Sequence, residues 1–304
     1  MLLRETAFAR SGLVGNPSDL FYGKTLSFLF DAFGAHVTLY ESPRLEVVPN
    51  SRDRSKFRDV EHLVRYRKQF GYYGGIRLIE AGIVRFWDYC RGKNIPLDDR
   101  NFTVEYSSTV PFGVGLGGSS TIIRALFAAL MRFYGLTEED IPKPIQANLI
   151  LESETHELDI SAGPQDRVVA VYGGLVYMDF TEEAYAANDG LHGNYINLDP
   201  ALLPNLFITY KEELSKSSGK THNIMRYRMA VERDPRVKEV MQQKAALVDE
   251  ARTCLEKGEK AKLGPIMARD FELRKSVYDI SEENMHMIEI AKNHGAYAKF
   301  SGSG

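Results

Sequence analysis

The run Pro111-Phe-Gly-Val-Gly-Leu-Gly-Gly-Ser-Ser-Thr121 sets four glycines and two serines between an alternating, strand-like segment at 101–107 and an apolar stretch at 122–134 that contains neither Gly nor Pro. Glycine lets backbone N–H groups turn inward at close range. A helix N-terminus adds oriented donors and a partial positive charge, a combination that suits phosphate. The hydroxyls of Ser119 and Ser120 can bind oxygen or a hard cation such as Mg²⁺. These residues point to a cradle for a polyphosphate.

Competing readings of the same residues are weaker. Ser119 could serve only as a helix N-cap. Gly113, Gly115 and Gly118 also spell the dinucleotide pattern G-x-G-x-x-G, but 135–142 reads as a loop rather than a second strand ending in an acidic residue. Two P-loop lookalikes fail on their leading glycine, because Leu214 precedes Ser218-Gly-Lys-Thr221 and Ser18 precedes Tyr22-Gly-Lys-Thr25. His156-Glu157 is no zinc helix, since Ile160 stands where the second histidine would be.

The elements that must position the loop alternate through the first half. Strands are expected at 5–14, 25–30, 35–40, 45–48, 101–107 and 174–180, and helices at 75–90, 122–134, 145–154 and 167–171. The second half adds strands at 195–198 and 206–210 and helices at 223–229, 235–256, 260–277 and 282–293. The segment 296–304 reads as a strand entering a glycine turn and wants a partner, so the chain is expected to continue past Gly304.

With 304 residues, 44% hydrophobic and 26% charged, the chain can fill one large or two medium globular domains. A net charge of −3 argues against nucleic acid, and the basic stretch 52–68 is offset by Asp53, Asp59 and Glu61. Two cysteines, Cys90 and Cys254, make neither a disulfide framework nor a metal cluster, which favours the reducing cytoplasm. No apolar run approaches the roughly 18 residues of a membrane span. The expected partner is a small molecule, handled by a monomer or homodimer, with no nucleic acid and no membrane.

Three blocks together resemble the motifs of the GHMP small-molecule kinases. Pro111-x-x-x-Gly-Leu-Gly-Gly-Ser-Ser is similar to their second motif, and Ala7-Phe-Ala-Arg10 through Gly15-Asn-Pro-Ser-Asp19 and Gly23 to their first. Lys299-Phe-Ser-Gly-Ser-Gly304 looks like the opening of the glycine-rich third. Gly15-Asn-Pro-Ser-Asp19, Ala162-Gly-Pro-Gln-Asp-Arg-Val168, Tyr172-Gly-Gly-Leu-Val-Tyr-Met-Asp-Phe180 and Ser218-Gly-Lys-Thr-His222 are similar to the plant-type glucuronokinase branch. The resemblance implies an α+β fold. Its N-terminal α/β domain, residues 1–190, carries a left-handed β-α-β crossover, and its C-terminal ferredoxin-like α/β domain, residues 191–304, lacks its end.

The implied activity is ATP- and Mg²⁺-dependent phosphorylation of a sugar at its anomeric hydroxyl, with glucuronate first. Galactose, arabinose, a heptose phosphate or mevalonate are alternative substrates, and a silent sugar and ATP sensor is the non-enzyme alternative. The resemblance assigns ATP to Pro111, Gly113, Gly115, Leu116, Gly117, Gly118, Ser119, Ser120 and Thr121. It places Ser119 on Mg²⁺ ahead of Ser120, with Glu154 aligning better than Glu152 or Glu157 as the carboxylate. Asp166 is the base or hydroxyl-orienting group, and Arg10 its basic partner. Asn16, Ser18, Asp19, Tyr22 and Gly163 fall to the sugar. A uronate carboxylate needs a cation. Lys220 is set there, with Arg226, Arg228 and Arg167 as further candidates.

Overall fold

The computed structural model describes residues 1–50, 53, 74–211, 227–228 and 234–302. They form two compact units, each assembled from separated stretches: 1–9, 31–111 and 117–162 in the first, and 10–30, 112–116 and 163–304 in the second. Neither is a continuous segment, so the linear division at 190/191 remains a proposal.

In the first unit, β3 (Glu46–Val48) runs parallel to β4 (Asn101–Ser108), and β4 pairs antiparallel with the later half of β2 (Lys24–Ser42). Val37 lies opposite Tyr106 and Leu39 opposite Val104, and all four are buried. Residues 25–30 and 35–40, expected as two strands, belong to one. The glycine between them does not break it, because Thr109 Oγ1 accepts from Gly34 N–H and Thr109 N–H donates to the Gly34 carbonyl. Over the strands lie α1 (Gly75–Gly92), α2 (Gly118–Phe133) and α3 (Lys143–Thr155). Phe86 and Phe127 meet edge to face at 5.8 Å, and Gly82 admits the close crossing, since a Cβ there would sit 2.7 Å from Leu126.

In the second unit, the first part of β2 pairs antiparallel with β5 (Leu175–Asp179), which pairs antiparallel with β6 (Asn194–Leu198). β1 (Leu2–Val14), of which only residues 10–14 belong to this unit, pairs with β2. A short helix α4 (Gln165–Tyr172) precedes β5, and α5 (Glu182–Ala186) follows it. Leu13, Leu26, Phe28, Leu175 and Tyr177 pack against Leu247, Val248 and Leu255 of α6 (Pro235–Glu256) and Ile266 of α7 (Leu263–Lys275). Burial of each such side chain is worth about 1.5–3 kcal/mol. Asp234 caps α6 ahead of Pro235, and Ser281 caps α8 (Glu282–Asn293), so both helices begin where expected.

Two expected strands are absent among the described residues. At 206–210, Leu206 and Ile208 tuck against the apolar cluster while Phe207 is 90% exposed. The alternation there records one-sided burial without a neighbouring strand to complete a ladder. The 296–302 stretch gives its carbonyls to the first motif instead. The expected helix 260–277 starts at Leu263, after a 3₁₀ turn at Lys260–Lys262. The described part of 191–304 supplies β6 and the helices α6, α7 and α8 to the second unit. The expected helix 223–229 falls almost wholly outside the described residues.

Candidate active site

The glycine loop alternates as its chemistry requires: Gly113, Gly115 and Gly117 all have φ between 72° and 74°, a left-handed backbone that β-carbon-bearing residues rarely adopt. Gly117 is the N-cap of α2, and Gly118 opens the helix. The hydroxyls of Ser120 and Thr121 both donate to the Gly117 carbonyl, at 2.8 and 2.7 Å. Ser119 lies one step inside the helix and is not its cap. Among the described residues its hydroxyl has no hydrogen-bond partner. Of the two serines, it is the one left for a ligand.

Elsewhere in the first unit, Arg85 of α1 ion-pairs with both Glu152 and Glu157. Glu154 is the carboxylate of the three that Arg85 does not hold, and it is 2% exposed. No group of three or more His, Cys, Asp or Glu among the described residues could hold a metal alone.

The second unit contains a tighter constellation. Arg10 forks onto Asp166, Nε donating to Oδ1 at 2.7 Å and Nη2 to Oδ2 at 2.6 Å. Its remaining terminal nitrogen, Nη1, donates to the Gly115 carbonyl at 2.7 Å and the Ser301 carbonyl at 2.8 Å. The Arg10 N–H donates to the Leu116 carbonyl at 3.2 Å. One buried guanidinium thus ties together a carboxylate at the start of α4, the glycine loop and the glycine segment near the end of the chain. A Cβ on Gly302 would lie 2.4 Å from the Gly115 oxygen, so this close approach of the two segments needs a glycine at 302.

The same terminal segment is locked to the 12–16 turn. Gly12 N–H donates to the Ser301 carbonyl at 2.9 Å, and Asn16 Nδ2 to the Gly302 carbonyl at 3.1 Å. Lys299 Nζ donates to the Gly12 carbonyl at 3.1 Å and to Asn16 Oδ1. Asn16 therefore spends both ends of its amide inside the protein. Behind it lies a buried ionic cluster: Lys244 Nζ is 2.6 Å from Asp270 Oδ1, Lys299 Nζ is 3.4 Å from Asp270 Oδ2, and Gly15 N–H donates to Oδ1 at 3.1 Å. Burial pushes the Lys299 ammonium down to about 7 against the pull of Asp270. No sequence signal marked Asp270 or Lys244, because a lysine on an α6 heptad reads as a solvated face.

The residues expected on the sugar fall around the same turn. Ser18 Oγ donates to the Lys24 carbonyl at 2.6 Å, which shapes the turn. Tyr22 is exposed, with its ring edge-on to Tyr185 at 6.5 Å. Asp19 is buried, and among the described residues its Oδ2 accepts only a 3.3 Å bond from Gln165 N–H. Desolvation first, and the neighbouring Asp166 charge second, raise its carboxyl to about 6. Gly163 is small for a reason: a Cβ there would sit 2.3 Å from Asp19 Oδ2. Pro111 is buried at the entry to the loop. Of the uronate candidates, Arg228 bonds Asp234 and the Val277 carbonyl, and Arg167 bonds the Gly163 carbonyl at 2.8 Å and stands 3.7 Å from Asp166. Lys220 and Arg226 lie outside the described residues.

Residues 81–174 match the family model for the GHMP kinases N-terminal domain. The Lactococcus lactis galactokinase complexed with galactose superposes with a TM-score of 0.70 at 12% identity, covering 96% of this chain and 80% of that one. Probable glucuronokinase 2 of Arabidopsis thaliana is 40% identical over 98% of this chain and 81% of its own length. Glucuronokinase 1 of the same plant is 38% identical over 99% and 83%. The chain belongs to the GHMP kinases, and it is an enzyme with their fold. No helix among the described residues is long and apolar enough to cross a membrane.

Proposed function

We propose that the protein phosphorylates a sugar at its anomeric hydroxyl using ATP and Mg²⁺, with D-glucuronate the substrate and glucuronate 1-phosphate the product. The Arg10–Asp166 fork is the observation that carries this reading, and the likeness to two glucuronokinases across nearly the whole chain supports the choice of sugar. Phosphoryl transfer needs positioning and charge stabilisation more than covalent chemistry from the protein. Arg10 orients the Asp166 carboxylate, whose remaining lone pairs can take a proton. In the step, the anomeric O–H bond breaks and its proton passes to Asp166, the oxygen bonds to the γ-phosphorus, and the bond from that phosphorus to the bridging oxygen breaks to release ADP.

Backbone N–H groups of Gly113 to Gly118 and the α2 N-terminus hold phosphate oxygens. Ser119 and Glu154 are the residues suited to Mg²⁺, which when bound neutralises charge on the β- and γ-phosphates. Asp19 accepts from a sugar hydroxyl, and Lys220 reads the uronate carboxylate. An ADP-release assay over glucuronate, galactose, arabinose, a heptose phosphate and mevalonate tests the reading. Glucuronate should lead, and a lead by any of the others would replace it.

The two serines should separate. Ser119→Ala should raise the Mg²⁺ concentration needed for half-maximal rate while leaving unfolding unchanged. Ser120→Ala should instead cost roughly 0.5–1.5 kcal/mol of stability, the net worth of one intramolecular hydrogen bond, with little change in Mg²⁺ dependence. Metal titrations and thermal unfolding of both variants check this. A larger Mg²⁺ effect from Ser120→Ala would reverse the assignment.

A further inference from the structure

Two buried polar atoms beside the proposed sugar turn have no hydrogen-bond partner among the described residues: Asp19 Oδ1 and the Tyr278 hydroxyl. Each residue is 7% exposed. Buried polar groups are nearly always paired, so each exception calls for a ligand or an internal water. Tyr278, just past α7, packs in one apolar cluster with Phe21 and Leu20, the residues that follow Asp19 in the chain. The Asp19 charge also contributes to raising the Tyr278 phenol, after burial.

The two groups are chemically complementary to one alcohol. A carboxylate only accepts, a phenol donates, and a sugar hydroxyl can do both at once. The Tyr278 ring is held independently of its oxygen, by the cluster and by the Arg274 guanidinium 5.2 Å from its centroid. Arg274 in turn donates to the Gly302 carbonyl at 2.6 Å.

We propose that Tyr278 is a specificity-determining residue, and that its phenol donates to, while Asp19 accepts from, one and the same hydroxyl of the substrate. The assignment rests on the sugar-kinase reading above and adds a residue to it. A site that hydrogen-bonds a hydroxyl discriminates strongly against analogues lacking it, because its own buried groups are then left unpaired.

The test is Tyr278→Phe, which deletes one oxygen and keeps the ring. On the sugar that wild type prefers, the variant should raise KM about tenfold, with ATP KM and the unfolding temperature unchanged. Wild type and variant are then compared across the monodeoxy analogues of that sugar. With one analogue the two enzymes should become equal, because the hydroxyl they differ over is gone; with the others the full difference should persist. An unchanged KM on the parent sugar overturns the proposal. So does an equal loss on every analogue, the result expected if the phenol only holds an internal water. If wild type phosphorylates no sugar, the sugar-kinase reading fails and this assignment falls with it; if wild type is active and the variant matches it, this assignment fails alone.

Discussion

Asp166→Asn should lower turnover by about 10²–10⁴-fold, the range for loss of a general base, while nucleotide affinity stays close to wild type. The side chain is isosteric, so the change removes charge and proton-accepting capacity without opening a cavity. It also places an amide NH₂ against the Arg10 fork, where a donor now faces donors. Arg10 keeps its bonds to the Gly115 and Ser301 carbonyls, so the phosphate loop stays anchored. That is why the effect should fall on kcat and spare nucleotide binding. Steady-state kinetics with nucleotide titration separate the two quantities. Turnover within a few-fold of wild type would remove Asp166 from the reaction.

The largest stability effect should come from a residue that touches no substrate. Among the described residues, Asp270 is the carboxylate set among Lys244, Lys299 and Arg274, all within the buried interior of the second unit. Asp270→Asn leaves the lysines without a counter-charge. Breaking a buried pair from one side typically costs about 3–5 kcal/mol, enough to threaten a fold of ordinary stability. The loss should depend on pH with a definite sign. Lys299 titrates near 7 in the fold, below the ordinary lysine value of 10.5. Between those values the unfolded chain binds more protons than the native one, so the contribution of this lysine to stability rises with pH. The defect in Asp270→Asn should therefore be largest near about pH 5, where the stranded ammonium groups keep their protons, and shrink as the pH rises to about 8, because without Asp270 the variant's lysines lose their protons at lower pH than those of wild type. Urea unfolding of both proteins across that range checks it, and a variant as stable as wild type at neutral pH would show that the cluster holds nothing together.

What could be read from the residues follows from what is local. Glycines at every second position from 113 to 117 leave little choice but left-handed turns, and Asp234-Pro235 and Ser281 announce their helices by capping chemistry alone. The fork of Arg10 on Asp166 joins residues 156 positions apart, and only resemblance to a family paired them. The rest was hidden for physical reasons. Lys244, Asp270 and Tyr278 look like ordinary helix and loop residues until tertiary packing buries them, and burial is what gives them consequence. The strand patterns at 206–210 and 296–302 were misleading because alternation reports which side is covered, whereas a strand also needs a neighbour to bond. In the second stretch those bonds go to Arg10, Gly12 and Asn16.

The most direct test of the account is the identity of the product. The purified protein is incubated with glucuronate, ATP and Mg²⁺, and the reaction is followed by phosphorus NMR alongside ADP release. The expected result is a single new phosphomonoester coupled to the anomeric proton, formed in step with ADP and absent with Asp166→Asn. Phosphate on any other oxygen, or ADP release with galactose but not with glucuronate, would contradict it.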